Sequence, residues 1–222
     1  MNRVVMDVEL TMLEPLLGSC PGDKEVFEKF IASKAPTQER QDEEIDAMTV
    51  DEEVEKSSTI FPKDKDGLFL WDYTIRGFIK ESMLVLIELD EIKEPKKWVV
   101  RKAVDSTVIV EPRRIRLLDA SGNPIEKAEE ALGRTLRAQT QQGERVALAR
   151  SEVLPAGTRI RFLITSLVTE NRQKKSWACI GKETLSQCLD YGVIKGLGQW
   201  RSGGYGRFSW EEIEPGAPAR GE

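Results

Sequence analysis

The chain contains no histidine. That absence excludes Ser-His-Asp and Cys-His nucleophilic machinery, histidine-rich metal sites, and the commonest general base near neutral pH. Any chemistry would have to rest on carboxylates, lysine or tyrosine, so a catalytic centre, a metal and a cofactor are all unexpected. Cysteine is scarce as well. Cys20, Cys179 and Cys188 are odd in number and widely spaced, with no Cys-x-x-Cys pair, which argues against a zinc site and against a disulfide framework. Long apolar runs are missing: Met83–Ile87 is too short to span a bilayer, and the opening MNRVVMDVEL alternates without the apolar stretch of a signal peptide. The expectation is a cytoplasmic protein with no membrane partner.

What is present is an ordinary globular composition, 40% hydrophobic and 32% charged, over 222 residues, enough to bury a core. The net charge of −5 is unevenly spread. Gln38–Lys56 holds nine acidic and two basic residues, a net −7, so the remainder of the chain is net +2. Arg159–Phe208 holds nine basic and three acidic residues, a net +6. An acidic segment rides on a mildly basic body, and this asymmetry is compatible with a polyanionic ligand where the total charge is not.

Periodicity supplies the elements. Arg3–Met12 alternates as a half-buried strand with Val4, Met6, Val8 and Leu10 on one face. Asp23 can cap a helix through Lys24–Lys34, and residues 23–58 read as a largely helical insertion projecting from the core. Thr59–Asp72 reads as a hairpin closed by Asp66-Gly67. Ile75, Phe78, Ile79, Met83, Leu86 and Ile87 recur at helical spacing. Strand-like runs flank Pro112, a turn falls at Ser121–Pro124, a hairpin bends around Gln141–Glu144, and LPAG turns the chain into a strand with Ile160, Phe162 and Ile164 on one face. A second core helix over Lys182–Lys195 gives way to glycine, and a last strand follows from Arg207. Two β-α-β units with the sheet on one side predict an α+β, ferredoxin-like core in a single domain over residues 1–214, with a disordered tail at 215–222.

Two stretches carry candidate binding residues. Gly196–Phe208, GLGQWRSGGYGRF, is not a dinucleotide-binding motif, because Arg201 stands where the third glycine belongs and a strand follows instead of a helix. IGKET is not a phosphate loop, because Glu183 replaces the hydroxyl residue. What remains is a basic, aromatic, glycine-rich loop. Trp200 and Tyr205 would stack on bases and Arg201 and Arg207 would meet phosphates. The alternative is a tight turn whose aromatics pack inward and whose arginines are solvated. The other stretch, Tyr73–Ser82, opens the first core helix with Arg76 and Lys80 on one face and Gly77 permitting close approach. Its alternative is a solvated basic helix face.

Taken in order, four parts of the chain resemble the RAMP superfamily of CRISPR-associated proteins: the first strand with its LEPLLGS turn, FLWDYTIRGFIKES, RSEVLPAGTRIRFLI and GLGQWRSGGYGRF. In the second of these, Arg76 stands for the family's lysine, Gly77 for its glycine and Lys80 for the later base, while Asp72-Tyr73-Thr74 replaces Pro-Gly-Ser. The resemblance implies a modified RRM-like core that binds a guide-type RNA, with Arg76, Lys80, Lys195, Gln199, Trp200, Arg201, Ser202, Tyr205 and Arg207 as the contact set. It also implies assembly with other effector subunits or with copies of the chain itself, through a thumb-like insertion at 23–58. In RNA-cleaving members an early aspartate carries the chemistry. Asp42, Asp46 and Asp51 are candidates for that role, though a solvated acidic helix accounts for them more simply.

Overall fold

The computed structural model describes residues 2–22, 58–140, 143–169 and 180–214. The expected helix after Asp23, the acidic segment with Asp42, Asp46 and Asp51, and the tail from 215 lie outside the described residues.

The first strand, β1 (Asn2–Met12), buries Met6, Val8, Leu10 and Met12, with Val4 half-buried, as the alternation requires. Two short strands follow, β2 (Leu16–Leu17) and β3 (Cys20–Pro21), and then β4 (Ser58–Ile60), β5 (Lys63–Asp64) and β6 (Gly67–Trp71). The β5–β6 hairpin turns at Lys65-Asp66. The expected turn at Asp66-Gly67 is thus one residue late: Gly67, at φ +111°, is already the first residue of β6 and pairs with Asp64. Helix α1 spans Asp72–Glu88 and buries Ile75, Phe78, Ile79, Met83 and Leu86, while Ile87 is half-buried at the margin. Helix α2 (Val100–Thr107) is not legible in the sequence, because its single apolar edge of Val100, Ala103 and Val104 is too short to set a period.

Strands β7 (Val108–Glu111) and β8 (Arg114–Leu118) flank Pro112. The long hairpin β9 (Glu129–Thr140) and β10 (Gly143–Leu154) follows, then β11 (Arg159–Val168), α3 (Lys182–Lys195) and β12 (Phe208–Glu212). The larger sheet has seven strands in the order β12-β1-β11-β8-β6-β5, and β7 also pairs with β11. Its pairings are antiparallel. Since β1 and β7 both run against β11, and β11 and β12 both run against β1, the units β1-α1-β7 and β11-α3-β12 are interleaved. That is an α+β arrangement consistent with a ferredoxin-like plan.

Register aligns the apolar sets on one face, with Met6 opposite Ile164, Val8 opposite Phe162 and Leu10 opposite Ile160. A slip of one residue would turn all of them to the other face, so burial fixes the pairing. Helices α1 and α3 cover this face, Leu185, Cys188 and Leu189 of α3 meeting the same core. Burial pushes the Cys188 thiol up to about 12, which leaves it an inert packing group.

A second sheet has the order β2-β10-β4-β3, with β9 on β10. Here Cys20 pairs with Ile60 and Pro21 with Thr59, so the chain that leaves after β3 returns beside it. Glu152 of β10 accepts the Phe61 backbone N–H at 2.7 Å. Its burial raises the carboxyl pKa, while that bond and the Lys63 charge oppose the rise. No described helix is long and apolar enough to cross a membrane.

Candidate nucleic-acid interface

The glycine-rich loop is built by backbone hydrogen bonds. Leu197 N–H donates to Gly206 O at 2.8 Å and Gly206 N–H donates to Pro15 O at 2.9 Å, while Leu13 and Glu14 both donate to Arg207 O. The loop is therefore stapled to itself and to the turn after β1. Gly206 has φ +73°, and a Cβ there would fall well inside van der Waals contact of the Leu197 carbonyl. Glycine at this position is a folding requirement, not a cradle for a ligand.

Between these staples the chain wraps around an indole. Trp200 itself lies in the left-handed region at φ +49°. Tyr205 stacks on its ring at 4.9 Å between centroids and 14° between planes, and the Arg134 guanidinium lies over it at 5.1 Å. Gly203 lets the backbone pass close, since a Cβ would stand 2.8 Å from the ring. These contacts, worth roughly 0.5–1.5 kcal/mol each, offset the strain of the αL residue. Trp200 and Tyr205 thus stack on each other, and Trp200 keeps 39% of its surface exposed.

Two open grooves flank this stack. One, of about 470 Å³, is lined by Glu81, Lys195, Gly198, Gln199, Trp200, Arg201 and Ser202. The other, of about 370 Å³, is lined by Glu14, Pro15, Gly203, Gly204, Tyr205 and Arg207. Arg201 Nη2 lies 2.8 Å from Glu81 Oε2, which joins the loop to α1. Gln199 Oε1 accepts from Arg134 Nη2 at 3.1 Å, which joins it to β9. Arg207 donates through Nε to Val193 O at 3.2 Å, on the last turn of α3, where a cation is favoured by the helix dipole. Burial raises the Tyr191 hydroxyl above its ordinary pKa, with Glu81 adding to the rise and Arg201 opposing it.

All seven expected loop residues, from Lys195 to Arg207, line one groove or the other. Arg76 and Lys80 are held elsewhere on α1. Arg76 Nη2 pairs with Asp72 at 2.8 Å, and Lys80 pairs with Asp105 of α2. Glu81 sits about 100° round the helix from Lys80 and about 140° from Arg76. The wall that α1 gives to the larger groove is therefore Glu81. Asp72 opens α1 near its positive end and binds Arg76 one turn on. Gly77 is exposed, and a Cβ there would meet nothing within 4 Å.

Sequence reasoning missed Glu81 and Arg134, since neither carries a local signal. It also missed an arginine cluster on β8, although the alternation of Arg114, Ile115, Arg116 and Leu117 marks one basic face. Arg113 lies 5.0 Å from the Trp71 ring, and Arg114 and Arg116 lie 5.5 and 5.7 Å from Phe69. Asp64 ties Arg114 and Arg116 together at 3.1 and 2.6 Å. Burial alone would raise the Asp64 carboxyl, but hydrogen bonds from Arg116, the Asp66 backbone and Arg114 outweigh it and hold the pKa at about 2.

No protein-family model matches the chain, and no curated protein matches it. Among solved structures it is similar to a chain of Type III-B Cmr-beta bound to cognate target RNA, at 12% identity and a TM-score of 0.44. That match covers 95% of this chain, which spans 61% of the other. It is also similar to a chain of a Type IV-B CRISPR complex, at 9% identity and a TM-score of 0.46, over 97% of this chain and 93% of that one.

Proposed function

We propose that the chain is a non-catalytic RNA-binding subunit of RAMP type with a ferredoxin-like core, acting in the cytoplasm. It would assemble along a guide-like RNA with other effector subunits or with copies of itself. The observation that carries this reading is the Arg201–Glu81 pair at 2.8 Å. It joins residues 120 positions apart, one in the middle of α1 and one in the glycine-rich loop, and so links the two stretches that suggested RNA contact, with Arg76 and Lys80 themselves on another side of α1. The resulting grooves expose the edge of an aromatic stack beside Lys195, Arg201, Ser202 and Arg207, which suits a single strand held by phosphate contacts and partial stacking. Among the described residues Lys195 and Arg207 meet no carboxylate, so their charge is available to phosphate.

The test is filter binding of a labelled single-stranded RNA across a salt series. Substituting Arg76, Lys80, Arg201 and Arg207 with alanine together is expected to weaken binding at least tenfold at low salt. It should also flatten the dependence of log K on log salt by about 0.7 for each phosphate the variant no longer neutralises. Unchanged binding sinks the reading, and protein partners recovered without nucleic acid would favour an interaction module instead. RNA cleavage in the same reactions, with or without a divalent metal, would replace the non-catalytic role by that of a ribonuclease.

A further inference from the structure

Arg201 reaches α1 only by landing on a carboxylate. The Glu81 side chain is 43% exposed and that of Arg201 22%, so the pair stands at the mouth of the larger groove and not beneath it. The other side chains with polar atoms that line the groove are Lys195, Gln199, Trp200, Arg201 and Ser202, all of them cationic or neutral. Gln199 has its carbonyl oxygen engaged by Arg134, which leaves its amide N–H groups as donors. The groove is thus furnished for an anion, and the one anion it contains is part of the chain. A carboxylate and a phosphate present the same pair of oxygens to a guanidinium.

We infer that Glu81 occupies the phosphate seat of Arg201 and acts as a built-in competitor for the RNA backbone, holding the groove's affinity down until a phosphate exchanges with it. This rests on the RNA-binding reading and deepens it. Exchange is inexpensive because a partly exposed ion pair contributes little. The carboxylates of the other arginine clusters are less suited to it. Asp72 and Asp64 are 13% and 11% exposed, and each holds two arginines.

The experiment is binding of a labelled single-stranded oligouridylate to the full chain, to Glu81→Gln, to Arg201→Ala and to the double variant, each over a salt series with thermal melting as the folding control. Glu81→Gln keeps the shape and a neutral acceptor for Arg201 while removing the charge. It is expected to tighten binding roughly three- to tenfold and to steepen the salt slope by about 0.7, the effect of neutralising one further phosphate. Arg201→Ala is expected to cost more in the Glu81→Gln background than in the native one, since only there is the guanidinium fully free for phosphate. If Glu81 instead serves to position Arg201 for the RNA, Glu81→Gln weakens binding and the inference is overturned. Native RNA binding that Glu81→Gln leaves unchanged overturns this inference alone, whereas RNA binding by none of the four proteins overturns the RNA reading with it.

Discussion

Gly77 in α1 and Gly192 in α3 sit in two helices that pack on one core, and a methyl group would have opposite consequences at the two. At Gly192 a Cβ would stand 2.7 Å from Phe78 Cζ and closer still to the Phe208 ring, and both rings are buried. At Gly77 it would meet nothing. The same division separates the loop from the helix face. Gly196 and Gly206 let the loop fold onto itself, a Cβ at Gly196 lying 2.6 Å from Tyr205 O. Gly77, beside Arg76 and Lys80, is thus a helical glycine that neither a close contact nor a positive φ requires, whereas Gly204 of the loop, equally clear of close contacts, sits at φ +90°. A helical glycine of this kind costs stability without packing benefit, which a ligand approaching closely would offset and a merely solvated face would not.

The largest effect that would break this comparison is at Gly192. Replacement by alanine is expected to destabilise the fold by about 3 kcal/mol, despite alanine's better helix propensity, because two rings in a filled core have to move. For a chain of this size that is a fall in Tm of roughly 6–12 °C by calorimetry. A native-like Tm would mean that the Phe78–Phe208 contact, 5.8 Å between centroids, has slack to spare.

Next comes acid. The Asp64 carboxyl titrates at about 2 in the folded chain and near 4 when unfolded, so its contribution is present above pH 4 and is lost as pH falls from about 4 to about 2. Urea unfolding at pH 5 and pH 3 should show the native chain losing more stability than Asp64→Asn over that interval. Equal losses would deny the Arg114–Asp64–Arg116 cluster its role.

The smallest effect is the most informative. Gly77→Ala is expected to raise stability by about 0.5–1 kcal/mol while lowering RNA affinity severalfold. Opposite signs in the two measurements mark a glycine kept for a ligand. A stability gain with RNA affinity retained would assign Gly77 to a merely solvated face, and the loop would then carry the interface alone.

The half of the fold legible from sequence is the half with a sustained period. Alternation over β1 and β11 and the helical spacing of α1 place the buried residues because each pattern is repeated over three or more turns or pairs, and α3 is legible as a helix ending at glycine. Helix α2 and the short strands β2 to β5 have no such length, and in the second sheet β2, β4 and β3 join the long β9–β10 hairpin with β2 and β4 on β10 and β3 on β4. In the candidate site, the loop residues were legible as a cluster because they are consecutive. Their partners were not: Arg134 stacks on Trp200 from a strand 66 positions earlier, and Glu81 is one of three acids on α1 with no local pattern to single it out.

The sequence by itself determined which face of each long element is apolar, where the loop lies, and that histidine-based chemistry is absent, since these depend on residue type and local spacing alone. Only the tertiary structure decided what the glycines of the loop are for, that Trp200 has Tyr205 and Arg134 as partners, and that Arg201 ends on Glu81 while Arg76 ends on Asp72. Charges of one kind are interchangeable in a sequence. Which carboxylate a given arginine meets is set by the packing of α1 and α3 on a common core and by the strands paired beside them, and the charge left over for a ligand follows from that packing.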